Sequence, residues 1–363
     1  MIRFIRRLFI FVLLLAVAAG VGGYLWLRSV SAPYKGYAGQ EVFVEIPNGT
    51  GVNAIGRRLV EAGVVQSTYA FQAAMRLRAN GQTLKAGEYR FSEPMTPDEV
   101  IEKLARGEVY LRPITFPEGL TIAEMGRVFE TQGFGKAAAF VKAAQDSSSI
   151  DKLDPQADDL EGYLFPETYT LPRSAKAEDL ISQMTARFAE VYTPELRKAA
   201  EARGMSTREV LTMASLIEKE TARSEERFLV SAVYHNRLKI GMPMQCDPTV
   251  IYGLQKAGRY AGNLTRENLQ FDSPYNTYRY PGLPPGPIAA PGRLAIEAAV
   301  KPAEVSYLYF VSKNDGTHVF ATTLAEHNRN VTEYQVRYFR NLRQQRNNGA
   351  GAGASSGTRR SAR

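Results

Sequence analysis

The chain has 363 residues, 44% of them hydrophobic and 23% charged, which allows two folded domains plus accessory segments and excludes intrinsic disorder as its overall state. Its formal charge of +8 is partly terminal, with Arg3, Arg6 and Arg7 at the start and Arg340, Arg343, Arg346, Arg359, Arg360 and Arg363 at the end; a basic balance suits anionic lipid or an anionic polymer, and no zinc-finger spacing or RNA-binding aromatic signature supports nucleic acid. A single cysteine, Cys246, excludes an intrachain disulfide and a cysteine-based metal cluster.

From Leu8 to Leu27 no side chain is charged. Twenty helical residues at ~1.5 Å each cross the ~30 Å hydrocarbon core of a bilayer, so residues 1–29 are predicted to hold a short cytoplasmic start and one transmembrane helix. Arg3, Arg6 and Arg7 ahead of the apolar run place the N-terminus inside and everything after Arg28 outside, and Tyr24 and Trp26 fall where an aromatic belt forms. The rival reading is a cleaved signal peptide ending near Ala16-Val17-Ala18-Ala19; the apolar run is longer than the usual ~7–15 residues of such a peptide, and both readings export the rest.

Residues 30–40 read as a linker rich in Gly, Ala, Pro and Ser. In residues 41–110 the pattern predicts a strand over Val42 to Ile46, a turn at Pro47-Asn48-Gly49, a helix carrying Ile55 and Leu59 and stopped by Gly63, and a second helix from Tyr69 to Leu77. A strand follows at Ala86 to Phe91, then a helix from Pro97 to Leu104 with Asp98 and Glu99 in its first turn, a β-α-α-β module overall. Residues 111–343 then open with an echo: Phe116-Pro117-Glu118-Gly119 answers Ile46-Pro47-Asn48-Gly49, Met125 and Phe129 answer Ile55 and Leu59, and Gly133 answers Gly63. An internal duplication is one explanation and chance similarity of two β-turn-α units the other. Residues 344–363, dominated by Gly, Ala, Ser, Asn and Arg, are expected to be a disordered basic tail.

The strongest helix outside the membrane begins at the capping box Ser206-Thr207-Arg208-Glu209 and runs through Val210, Leu211, Met213, Ala214, Leu216 and Ile217 before reaching Glu218. Glu220, two residues on, points about 200° away and cannot share its face. Ala214 and Ser215 form a small-residue stripe beside Glu218 where a substrate chain could approach, and a carboxyl in a partly apolar wall has its neutral form favoured, as a general acid needs. The alternative is that Glu218 pairs with Arg223 or Arg227.

After Glu218-Lys219-Glu220-Thr221 come Glu226-Arg227, Asn236-Arg237-Leu238, Gly241-Met242-Pro243-Met244-Gln245-Cys246-Asp247-Pro248-Thr249-Val250 and Tyr252-Gly253. With the run Leu160 to Tyr169 upstream, and Tyr275-Asn276-Thr277-Tyr278, the run Gly282 to Ile288 and Glu326-His327-Asn328 downstream, this ordered series resembles the endolytic murein transglycosylase, or YceG-like, family over residues 41 to 340. Cys246 and Ala290 depart from the pattern, standing where a small hydroxyl residue and an Asn or Thr are more usual.

The resemblance implies an α+β fold: a single N-terminal transmembrane helix, a LysM-like module and a mixed α+β catalytic domain, anchored in the inner membrane with the catalytic part in the periplasm. It implies cleavage within nascent peptidoglycan strands between N-acetylmuramic acid and N-acetylglucosamine, leaving 1,6-anhydro ends, with peptidoglycan synthases as possible neighbours and no cofactor. It maps the catalytic glutamate onto Glu218.

Glycosidases generally need two carboxyl groups. When the muramic acid's own C6 hydroxyl attacks the anomeric carbon, one glutamate suffices, first protonating the leaving oxygen and then accepting the hydroxyl proton. Gln245, Asp247, Tyr252 and Asn276 are the candidate sugar-binding residues, because amides, carboxylates and phenols bond sugar hydroxyls and rings stack on sugar faces; Asp247 also suits a turn and Tyr252 a core. Glu161 and Glu167 are further carboxyls, with turn chemistry as the alternative for Glu161-Gly162. The proline-rich run Gly282 to Pro287 is expected to be a rigid wall. His318 and His327 invite a metal reading that three histidines without i, i+4 spacing do not support. A hydrolysing muramidase, for which Asp247 would be the second carboxylate, and a noncatalytic wall-binding scaffold are the competing functions.

Overall fold

The computed structural model describes residues 2–78, 83–173 and 175–344. The predicted basic tail, from residue 345 on, lies outside the described residues. The chain divides into two compact units, Met1–Pro113 with Thr170–Ser174, and Ile114–Tyr169 with Ala175–Arg363.

The first unit opens with helix α1 (Ile2–Val30). Its stretch Phe4–Trp26 is 23 residues long, apolar enough to cross a bilayer and wholly unburied. Such a helix is compatible with a single-pass anchor and with a signal sequence.

Next, β1 (Val42–Ile46) pairs antiparallel with β2 (Gly87–Phe91), Val44 opposite Tyr89, while α2 (Val52–Glu61) and α3 (Thr68–Arg78) connect them. The β-α-α-β order read from the sequence is therefore present. Helix α4 (Pro97–Arg106) starts at a capping box in which the Thr96 hydroxyl accepts from Glu99 N and the Glu99 carboxylate accepts from Thr96 N, and it ends on left-handed Gly107. Alternation along the strands and the helical period bring Val44, Tyr89, Ile55, Leu59, Phe71 and Leu104 into one core. Strand β3 (Leu111–Thr115) follows and pairs with β4 (Thr168–Pro172).

The second unit is mainly helical: α5 (Ile122–Thr131), α6 (Ala137–Ala143), α7 (Ala177–Val191), α8 (Pro194–Glu201), α9 (Thr207–Glu220), α10 (Arg227–Lys239), α11 (Asp247–Lys256), α12 (Arg293–Val300) and α13 (Leu324–Val331). A hairpin of β5 (Tyr309–Ser312) and β6 (His318–Ala321) precedes α13. Helices and three separate two-stranded sheets among the described residues make the chain α+β.

The echo seen in the sequence is also an echo in local geometry. Helices α2 and α5 are both ten residues long, with Gly49 and Gly119 at φ 78° and 79° before them and Gly63 and Gly133 at φ 71° and 73° after them. Both ends close the same way: Val64 N donates to Leu59 O at 2.8 Å, and Phe134 N to Phe129 O at 3.1 Å. The left-handed angles explain the glycines, since a Cβ is disfavoured there. What differs is the residue before the first glycine of each copy, Asn48 in one and Glu118 in the other.

Candidate active site

Helix α9 carries the site. Ser206 and Glu209 cap it reciprocally, every residue from Val210 to Ile217 is buried, and Glu218 follows directly on that run. Glycine-bounded turns and a proline-rich loop then close around it. Ile288 N donates to the Ser215 hydroxyl at 3.1 Å, Ala290 N to Leu120 O and Gly119 N to Ala290 O at 2.8 Å each, and Gly292 N to Glu218 Oε2 at 2.9 Å. The segment from Ile288 to Gly292 thus lies between α9 and the Phe116-Pro117-Glu118-Gly119 turn. The small-residue stripe expected to admit substrate is occupied instead by the chain's own backbone: Ala214 and Ser215 are 0% exposed. A serine hydroxyl there satisfies a loop amide that would otherwise be buried unpaired.

Glu218 Oε1 accepts from Arg227 Nη2 at 2.8 Å, the pairing that the sequence left as the alternative. Both side chains are nearly sealed, at 6% and 7% exposure. The wall around Glu218 is therefore polar, a guanidinium on one oxygen and a backbone amide on the other, rather than the partly apolar wall expected. Arg227 can reach it because α10 begins there, directly after a 3-10 turn at Ser224–Glu226.

Sequence reasoning missed Glu118. Its Oε2 lies 3.3 Å from the same Arg227 Nη2, and its side chain is 46% exposed, so it is the solvent-facing carboxyl of the cluster. Burial first, and then the charge of Glu218, push its carboxyl above the ordinary range against the pull of Arg227. Lys219 Nζ, 3.0 Å from Gly119 O, pins the turn that carries it. A Cβ on Gly292 would fall 1.8 Å from Glu118 Oε1, so a glycine there leaves room for the carboxyl. The signal was available: Glu118 occupies the turn position that Asn48 holds in the first copy.

Glu220 points away from Glu218, as the helical angle requires. The Tyr234 hydroxyl donates to it at 2.8 Å, and burial raises its carboxyl, with the Cys246 thiol beside it. Next to this lies a second, more open group. Gln245 is exposed and held at φ 51°, a left-handed backbone uncommon for a side chain of its kind, while Asp247 opens α11 and accepts from the Tyr278 hydroxyl at 2.6 Å. Thr277 fixes this edge, its carbonyl accepting from Gln245 N and its hydroxyl from Cys246 N.

The remaining two candidates do not join them. Asn276 is 0% exposed; its amide nitrogen donates to Leu269 O and Phe271 O, and its oxygen accepts from Tyr278 N, so it offers no face to a sugar and instead shapes the turn that presents Tyr278. Tyr252 is 8% exposed, its hydroxyl donates to Glu161 Oε2 at 3.2 Å, and it lines a cavity of about 410 Å³ with Glu161, Lys256 and Ile122. Glu161 accepts from Ile122 N at the start of α5, and burial pushes its carboxyl up to about 8. Glu167 pairs with Arg187 at 2.6 Å. Cys246 and Ala290, the two departures from the pattern, are both buried at 1% exposure. His318 bonds Glu226, and His327 stacks on Tyr309.

The model of the YceG-like family matches residues 44–333. The chain belongs to the YceG-like family. Among its relatives, an endolytic murein transglycosylase of Bacillus subtilis (strain 168) is 34% identical over 333 residues, 86% of this chain and 90% of that protein. One of Streptococcus pneumoniae serotype 2 is 32% identical over 91% of this chain, which spans 65% of the pneumococcal protein's length. A solved YceG-like protein of Listeria monocytogenes is 31% identical, covers 80% of this chain and 98% of its own, and superposes with a TM-score of 0.54.

The YceG-like match takes in Glu118, Glu218, Arg227 and Gly292, the whole charged cluster, together with Gln245, Asp247 and Tyr278. It begins at the first strand of the first unit and leaves out α1.

Proposed function

We propose that the chain is an endolytic murein transglycosylase, a lyase that cuts peptidoglycan glycan strands from within. Membership of the YceG-like family, with relatives of that name aligned over most of its length, is the observation that carries this reading. In it, Glu218 is the catalytic glutamate of a carboxyl cluster that handles the proton passing between the muramic acid C6 hydroxyl and the leaving oxygen, so that a 1,6-anhydro end forms and no water is consumed. Gln245 and Asp247 bind sugar hydroxyls and acetamides at the neighbouring edge, Tyr278 orients Asp247, and Asn276 and Tyr252 act by holding the loop and the cavity wall.

The finer parts belong to the same reading. Helix α1 anchors the chain in the inner membrane and the chain after it works in the periplasm, where nascent strands emerge beside peptidoglycan synthases; residues 41–110 are a LysM-like glycan-holding module. Strand elongation then ends where the anhydro terminus is made.

The muramidase reading draws support from one observation, the presence of two carboxyls on one guanidinium, although the second is Glu118 and not the expected Asp247. Digestion of purified glycan strands by the full chain in detergent, with mass analysis of the products, separates the readings. Anhydro ends from the native chain and none from Glu218→Gln are expected; reducing ends identify a hydrolase, and intact strands a binding scaffold.

A further inference from the structure

The Arg227 guanidinium is shared. One of its nitrogens, Nη2, holds Glu218 at 2.8 Å and Glu118 at 3.3 Å, so the two carboxyl groups are no further apart than two contacts to a single atom allow. Their surroundings differ in kind. Glu218 has each oxygen engaged by a donor, Arg227 on one side and Gly292 N on the other, and is 6% exposed. Glu118 has one oxygen toward Arg227, is 46% exposed, and rides on a turn fixed by Gly119 N to Ala290 O and Lys219 Nζ to Gly119 O. Glu218 is thus fixed in place through both of its oxygens. A carboxyl at the solvent edge beside a like charge is set to hold a proton and give it to an arriving oxygen.

We propose that Glu118 is a second catalytic residue of this site, the one that protonates the leaving glycosidic oxygen, while Glu218 takes the proton of the attacking hydroxyl. The proposal rests on the transglycosylase reading. The bond between the muramic acid anomeric carbon and the glycosidic oxygen breaks, its electron pair stays with that oxygen, and the oxygen takes the Glu118 proton. The C6 oxygen forms a bond to the same anomeric carbon, and its proton passes to Glu218. Transfer of that proton from Glu218 to Glu118 restores the starting state, so nothing but the strand is consumed. Arg227, between the two, is a positioning residue that keeps both carboxyls in place as one gains and the other loses charge.

Burial and the Glu218 charge favour the protonated form of Glu118, Arg227 opposes it, and Lys219 on α9 faces the turn with its ammonium on the Gly119 carbonyl. Loss of the Glu118 proton should therefore give kcat an alkaline limb.

The test uses the full chain in detergent and counts anhydro ends from glycan strands across pH. Glu118→Gln should lower kcat by about 100-fold or more with KM little changed, the range of a lost general acid, and should remove the alkaline limb. Gly292→Ala displaces the Glu118 carboxyl without deleting it, at a backbone position any residue tolerates (φ −76°), and should fold normally while losing kcat in the same way. On a glycan fragment ending in a nitrophenyl leaving group, which needs no protonation, Glu118→Gln should recover its rate and Glu218→Gln should not. Native kcat and an unchanged alkaline limb in Glu118→Gln overturn the proposal, as does a loss confined to KM. If the native chain yields no anhydro ends, the underlying reading fails and takes this one with it; native anhydro ends with an active Glu118→Gln sink this proposal alone.

Discussion

Oε1 of Glu218 lies 2.8 Å from Nη2 of Arg227, and neither side chain is more than 7% exposed. Breaking a buried pair by removing one partner leaves an uncompensated charge, at a typical cost of about 3–5 kcal/mol. Arg227→Met should accordingly lower the unfolding free energy by about 3 kcal/mol in urea titrations and reduce strand cleavage at least tenfold (order of magnitude). Arg227→Lys should recover much of the stability and little of the activity, because the shorter lysine stem does not place its ammonium at the Nη2 position that both carboxyls share. Equal activity in the arginine and lysine forms would speak against a shared guanidinium.

The Ser215 hydroxyl donates to Thr212 O at 2.7 Å and accepts from Ile288 N at 3.1 Å, seating the proline-rich loop on α9. Ser215→Ala leaves that buried amide without an acceptor, so a loss of about 1–3 kcal/mol is expected. Amide exchange should quicken first from Ile288 to Gly292. Unchanged protection there would mean that the loop is held from elsewhere.

Glu161 gives a pH dependence whose sign is fixed by its burial. Its carboxyl is pushed up to about 8 in the folded chain, against about 4.3 in an unfolded one, so between these values the folded state keeps a proton that the unfolded state has released. The stability it contributes is whole below about pH 4 and is lost as pH rises through about 8. Glu161→Gln, which preserves an acceptor for Ile122 N, should unfold with a flatter pH profile, the native chain losing a few kcal/mol relative to it between about pH 5 and 8. Glu220, also buried and raised, is common to both chains and cancels in the difference. Parallel profiles would place the Glu161 carboxylate in water.

At the open edge, the Tyr278 hydroxyl steers Asp247 through a 2.6 Å bond. Tyr278→Phe frees that carboxylate, and one lost hydrogen bond of about 0.5–1.5 kcal/mol translates into a KM raised by roughly 2- to 12-fold with kcat unchanged. Steady-state kinetics on glycan strands measure this. A fall in kcat at constant KM would move Asp247 from binding to chemistry.

Local patterns were readable directly. The first strand, the glycine-stopped helix after it and the capping box at Ser206 follow from residues close together in sequence, and each lies within a residue or two of where its pattern put it, while the uncharged run from Leu8 to Leu27 falls inside a longer helix, Ile2–Val30. Glu218 was legible as the carboxyl directly after the apolar pair Leu216-Ile217 on a capped helix. Its surroundings were not, because Glu118 and Gly292 stand 100 and 74 positions away in the chain. Asn276 shows the limit from the other side: an amide in a polar run looks like a ligand, and only coordinates reveal that the Leu269 and Phe271 carbonyls have claimed it.

The sequence by itself determined the elements of the first module, helix α9, the echo between the two β-turn-α units and the family, since these depend on the period of apolar residues, on left-handed glycines and on ordered motifs. The tertiary structure decided which charges meet. Arg227 faces two glutamates, and the small-residue stripe is roofed by the Ile288 to Gly292 segment, because long-range packing sets which groups share a desolvated space, and no local pattern encodes that distance.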